Sequence, residues 1–168
     1  MKYALVYGLI GGLIAILTMI TGFALTASDS FVHSLWYGYL VILVGLSFIF
    51  IGVKRYRDVE CGGVIRFGRA FLVGLGIAAF ASLAYVVIWE AYLAATGYEF
   101  LAHMVAAADG AQQRAEMEGM LYNPLVRVPF EFLEPFPVGL VIALVSAALL
   151  RNPRLLPATE PSKTDILT

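Results

Sequence analysis

Charge is scarce in this chain. Of its 168 residues only 14% are Asp, Glu, Lys or Arg, and 12 acidic against 11 basic side chains leave a net charge of −1. Soluble domains carry about 25% charged residues. No basic run is long enough to form a nucleic-acid footprint, and no nucleic-acid partner is expected. Cysteine is almost absent as well. Cys61 stands alone, which rules out an internal disulfide. With no neighbouring histidine to activate the thiol, it reads as a small apolar contact. The two histidines, His33 and His103, lack any His-x-x-x-His or comparable spacing and read as solvated loop residues, not metal ligands. There is no phosphate-binding glycine loop, no Gly-x-Ser-x-Gly elbow and no zinc-protease motif. Neither a cofactor nor an enzymatic activity is expected.

What the chain has is apolar surface. Hydrophobic residues make up 61% of it, and its mean hydropathy is +0.85. A globule of this size leaves a large share of its surface in water and cannot hide that excess. The composition fits an all-α integral membrane protein. Four apolar runs, 4–27, 35–53, 70–95 and 126–150, each meet the requirement of about 20 residues for crossing roughly 30 Å of hydrocarbon. Together they form one four-helix membrane domain over 1–153. The first run follows Lys2 as a signal peptide would. Its apolar core exceeds the ~7–15 residues of a cleaved signal, and Leu25 spoils the small-residue cleavage pattern, so an uncleaved anchor is expected.

Orientation follows from the basic residues. Lys54, Arg55, Arg57, Arg66 and Arg69 fall between spans two and three, Lys2 precedes span one, and Arg151, Arg154 and Lys163 follow span four. Only Arg114 and Arg127 remain for the other side, so both termini are expected in the cytoplasm, N-in and C-in. The polar segment 96–122 then lies outside as a short helical hairpin, with Asp109-Gly110 as its turn. The tail 154–168, rich in Pro, Ser and Thr, is expected to be disordered.

Membrane helices associate where small residues let backbones approach. Span one offers Gly8 and Gly12, span two repeats glycine at Gly38, Gly45 and Gly52, span three has Gly74, and span four has Gly139. These seams read first as packing within one four-helix bundle. The sharper alternative uses Gly8-x-x-x-Gly12 to join two copies, so a homodimer or larger membrane complex joins the lipid bilayer as an expected partner.

The start of the fourth run carries the chemistry. Asn123-Pro124 is a good helix start, with Asn123 as cap and Pro124 in the first turn. Pro135 and Pro137 then remove the donors for the carbonyls of Glu131 and Leu133 and should kink or break the helix. Counted at 1.5 Å per residue, Glu90 lies ~30 Å, Glu131 ~28 Å and Glu134 ~24 Å from the inner boundary, so the three acids share a layer near the outer one. Arg127 is four residues before Glu131, on the same helix face. The plainest reading makes 123–134 an interfacial helix with Glu131 and Glu134 wet and Arg127 weakly paired to Glu131. A buried Glu–Arg or Glu–Tyr contact at a structural kink is the next option. An ion, proton or ligand site built from Glu90, Glu131, Glu134 and Arg127 is the third, because broken helices build such sites in transporters.

Several motifs together resemble a known family: Met1-Lys-Tyr-Ala-Leu-x-Tyr-Gly-Leu-Ile, Gly52-Val-Lys-Arg-Tyr-Arg-Asp58, Phe67-Gly-Arg-Ala-Phe-Leu-Val-Gly74, Ala115-Glu-Met, Tyr122-Asn-Pro-Leu-x-Arg127 and Glu134-Pro-Phe-Pro-Val-Gly-Leu140. They are similar to the bacterial membrane-protein family catalogued as domain of unknown function 4199. The resemblance runs from Met1 to about Pro153 and implies a four-span protein of the bacterial inner membrane, with no activity to carry over. Here the fourth span has Pro135 beside Pro137, an extra proline relative to the usual pattern, which distorts the helix more. The leading functional expectation is a non-enzymatic accessory, scaffold or assembly protein. The alternative is a small transporter or channel component that binds a cation or relays protons at the outer carboxylates.

Overall fold

The computed structural model describes residues 1–25 and 35–157; the expectations for His33, the end of the first span and the tail beyond 157 lie outside them. Among the described residues the chain is entirely helical, with α1 (Lys2–Leu25), α2 (Leu35–Glu60), α3 (Phe67–Ala95), α4 (Glu99–Ala106), α5 (Ala111–Leu121), α6 (Pro124–Leu133) and α7 (Phe136–Leu150). Four stretches are long and apolar enough to cross a membrane: Lys2–Gly22, Trp36–Glu60, Phe67–Ala95 and Pro124–Leu150, the last formed by α6 and α7 together. Leu17, Leu43, Leu72, Val87, Val141 and Val145 stand exposed on the outside of the bundle. An apolar exterior of that kind suits lipid and not water. The molecule is a multi-pass, helical membrane protein.

α3 is the central helix and touches every other helix except α5. The seams explain why. A Cβ on Gly12 would lie 2.5 Å from the Ala81 carbonyl, and one on Gly8 would meet Phe80 at 2.6 Å, so both glycines exist to let α1 lie against α3. Gly45 likewise receives Ala15 and Gly11 of α1, and Gly52 receives Tyr7 and Ile77. On the other side of α3, Gly74 meets Ala143 of α7 and Gly139 meets Ala78. Two expectations are corrected here. Among the described residues a Cβ on Gly38 would meet nothing within 4 Å, so Gly38 takes no part in a close seam there. The Gly8-x-x-x-Gly12 stripe offered for a second copy is filled by α3 of the same chain.

The apolar core has two parts. Ile42, Leu46 and Ile49 pack with Ile77, Ala143 and Leu150 toward the end that bears the chain termini. Ala15, Ile16 and Met19 pack with Tyr85, Trp89 and Leu101 toward the end that bears the α4–α5 hairpin. Trp89 is buried, edge-on to Phe100 at 5.1 Å.

At the terminal end α2 runs two turns beyond the expected boundary at Val53. Lys54 and Asp58, one turn apart, form an ion pair at 2.6 Å that supports the extension. Arg57, expected in a solvated linker, is fully buried. Its Nε donates to Asp58 at 2.7 Å, and its terminal nitrogens donate to the carbonyls of Leu155 and Leu156, holding the segment after α7 against α2. Lys2 and Tyr3 reach Glu60 at 2.9 and 3.0 Å, which gathers the start of α1 to the same place. The real connection between spans two and three is therefore only residues 61–66.

At the opposite end, α3 stops in a turn that the sequence specifies. Gly97, with φ +62°, bonds back to Ala94, and Tyr98 bonds back to Leu93 at 2.8 Å, a Schellman closure in which glycine carries the left-handed position. The chain then turns directly into α4, which begins at Glu99. The hairpin follows, with Gly110 again left-handed before α5.

Candidate polar site at the hairpin end

The expected cap forms: Asn123 Oδ1 accepts the Leu125 N–H at 3.1 Å, and Pro124 occupies the first turn of α6. α6 is strongly one-sided. Leu125, Phe130 and Leu133 face outward, while Arg127 and Glu131 are buried against α3. Pro129 also lies inside α6 without ending it. The helix ends instead at Leu133, and α7 begins at Phe136, so the Pro135 and Pro137 pair breaks the span as its missing N–H groups require.

Helix α3 supplies the facing wall. Gly74 opposite Ala143 and Ala78 opposite Gly139 set an antiparallel register, each four-residue step forward on α3 matching four residues back on α7. Continued across the break, that register brings Glu90 to Arg127, and the two meet. Arg127 Nε donates to Glu90 Oε1 at 2.8 Å and its Nη2 to Glu90 Oε2 at 2.7 Å, a bidentate fork. Nη1 donates to the Leu121 carbonyl at the end of α5, and the guanidinium lies 5.6 Å from the centre of the Tyr98 ring. One side chain thus joins α3, α5, α6 and the turn after α3.

This differs from the wet interfacial helix that was the plainest sequence reading. Arg127 is 7% exposed and Glu131 9%. The main partner of Arg127 is Glu90, 37 residues away, not Glu131 one turn along. Glu131 Oε1 approaches Arg127 Nε only to 3.4 Å, because the single Nε–H already points at Glu90. Glu131 Oε2 is buried without any hydrogen-bond partner. The Glu131 and Glu90 carboxyl groups converge on the same Arg127 Nε, at 3.4 and 2.8 Å. Glu134 is exposed, although its carboxylate also reaches the Tyr85 hydroxyl.

The structure therefore brings Glu90, Arg127 and Glu131 together and leaves Glu134 exposed at the break between α6 and α7. Two further polar groups belong to this face of α3 and were not singled out by sequence. Tyr85 is buried within electrostatic reach of Glu131 and Glu134, and its hydroxyl lies 3.6 Å from the Met19 sulfur. Ser82 is fully buried with an unpartnered hydroxyl. The register places it opposite Pro135, at the break. The four-residue spacing of Ser82, Val86 and Glu90 was the available signal, but it gains meaning only once α6 is known to pack there. His103 is exposed on α4, away from the cluster. At the far end of the bundle, Cys61, Val64, Ile65, Arg66 and Arg69 line a groove of about 550 Å³.

No curated protein and no solved structure gives a significant match to this chain. A family model matches residues 2–152, nearly the whole described bundle including the Arg127–Glu90 pair, and the chain belongs to the family described as protein of unknown function DUF4199.

Proposed function

We propose that this is a non-enzymatic accessory or assembly protein of the bacterial inner membrane, with both termini cytoplasmic and the α4–α5 hairpin presented on the outer face to a partner. The observation that carries this reading is the Arg127 fork. The carboxylate that a transported cation would need at Glu90 is bound by a guanidinium of the same chain, and that guanidinium also holds the end of α5. The polar layer is thus engaged in fixing the hairpin relative to the bundle. α5 itself buries none of its side chains and presents Gln112, Gln113, Glu116 and Glu118 outward. Only Leu121, at its end, packs against the core, so α5 draws little stability from burial, which suits a surface held ready for contact.

The test is site-directed photocrosslinking in cells, with the photoreactive residue at Gln113 of α5 or, as control, at lipid-facing Leu144. A discrete protein adduct from Gln113 that is absent from Leu144 is expected. Equal labelling at both positions, or none at Gln113, overturns the reading. The small-transporter alternative draws on the unpartnered, buried Glu131 oxygen beside the exposed Glu134. In proteoliposomes it requires a cation or proton flux that Glu134→Gln abolishes.

A further inference from the structure

Around Arg127 the charges do not balance. One guanidinium faces two carboxyl groups, and its geometry assigns it to one of them. All its hydrogen bonds go to Glu90 and to the Leu121 carbonyl, leaving Glu131 with a single 3.4 Å approach at Oε1 and, among the described residues, no hydrogen-bond partner on the buried Oε2. A second full negative charge in a site 9% exposed, without a donor, is a costly arrangement. Something must neutralise it.

The surroundings of Glu131 limit what that is. From α3 it faces Tyr85 and Glu90, from α6 Arg127, and at the start of the break Glu134; Tyr98 stacks beyond Arg127. Met19, the α1 residue at Tyr85, is uncharged. Among the described residues no three His, Cys, Asp or Glu side chains are grouped to hold a metal ion. A proton needs no coordination shell. It would place an O–H donor on Glu131 beside the Glu90 carboxylate, which approaches the same Arg127 Nε. Two turns along the same face of α3, beside the break, Ser82 is fully buried and its hydroxyl has no partner among the described residues.

We propose that Glu131 is a proton-binding site: at neutral pH it holds one proton and, with the Glu90 carboxylate and Arg127, forms an acid–carboxylate–guanidinium triad. On release, the O–H bond of Glu131 breaks, the proton passes toward the exposed Glu134 carboxylate one turn along, and the new carboxylate competes with Glu90 for Arg127. Because Arg127 also holds the end of α5, the protonation state of Glu131 is coupled to how firmly the hairpin is held. This is independent of whether the hairpin recruits a partner.

Infrared spectroscopy of the full chain in lipid nanodiscs at neutral pH tests it. The wild type should show a protonated carboxylic-acid C=O band that shifts in D2O. Loss of the band in both Glu131→Gln and Glu90→Gln is expected, since in either variant the remaining carboxylate pairs alone with Arg127. Glu131→Asp, which keeps the acid, should shift the band, whereas Glu90→Asp should move it far less. Absence of the band from the wild type overturns the proposal. So does a band that survives Glu131→Gln, or one that follows Glu90→Asp and not Glu131→Asp. Where a glutamine variant fails to fold, the two aspartate variants decide alone.

Discussion

Replacing Arg127 with methionine is the most searching perturbation of this fold. Methionine keeps much of the stem packing but removes two charge-assisted bonds to Glu90, at 2.8 and 2.7 Å, and the bond to the Leu121 carbonyl. Taking one partner out of a buried ion pair costs about 3–5 kcal/mol, because the other charge is left without compensation. The Glu90 side chain is 25% exposed, so some water reaches it, and the lower end of that range, about 3 kcal/mol, is the better figure. Unfolding free energies measured by steric trapping in bicelles would supply the number. The cycle is completed by Glu90→Gln and by the double variant. Once both charges are gone the desolvation cost is gone too, so the double variant should recover most of the loss, giving a coupling energy of about 1–3 kcal/mol. A single variant within about 0.5 kcal/mol of wild type would refute the reasoning. So would strictly additive losses, because they would mean that Arg127 acts only through packing.

Two further outcomes follow from the bundle. Gly12→Val should cost about 1–3 kcal/mol, since its Cβ would lie 2.5 Å from the Ala81 backbone oxygen, whereas Gly38→Ala, with nothing within 4 Å among the described residues, should change stability by less than about 0.5 kcal/mol; the same bicelle assay compares them. Orientation is open to cysteine labelling. In intact cells a membrane-impermeant maleimide should modify Arg114→Cys on the hairpin but not Cys61 at the terminal end, and the opposite pattern would invert the proposed topology.

Much of this architecture was legible because membranes impose strict rules. Span number followed from hydropathy, since only about 20 apolar residues in a helix satisfy the backbone across hydrocarbon. The start of α6 could be placed at Asn123-Pro124, and its end near the prolines, because capping and the missing N–H are local effects. The small-residue seams were visible too, but their destinations were not. Gly8 and Gly12 look the same in sequence whether they meet α3 or a second chain. Gly38 shares the seven-residue spacing of Gly45 and Gly52, yet a Cβ there would meet nothing within 4 Å among the described residues. Arg57 reads as one more linker cation and is instead fully buried against the chain after α7.

The polar layer divides most sharply. Sequence alone placed Glu90 and Glu131 within about a turn of one depth, because rise per residue is fixed and depth is a one-dimensional quantity, whereas the register sets Glu134 further from Glu90 than the count along the chain implies. It also put Arg127 and Glu131 on one helix face. The direction of each side chain around its helix relative to the others is a three-dimensional quantity, set by the antiparallel register of α3 with α6 and α7. That register gave the Arg127 fork to Glu90, left the Glu131 Oε2 buried without a donor, and kept Glu134 exposed at the break. Local spacing favoured the partner one turn away. Tertiary packing chose the one 37 residues distant, because only Glu90 could offer both carboxylate oxygens to the guanidinium at once.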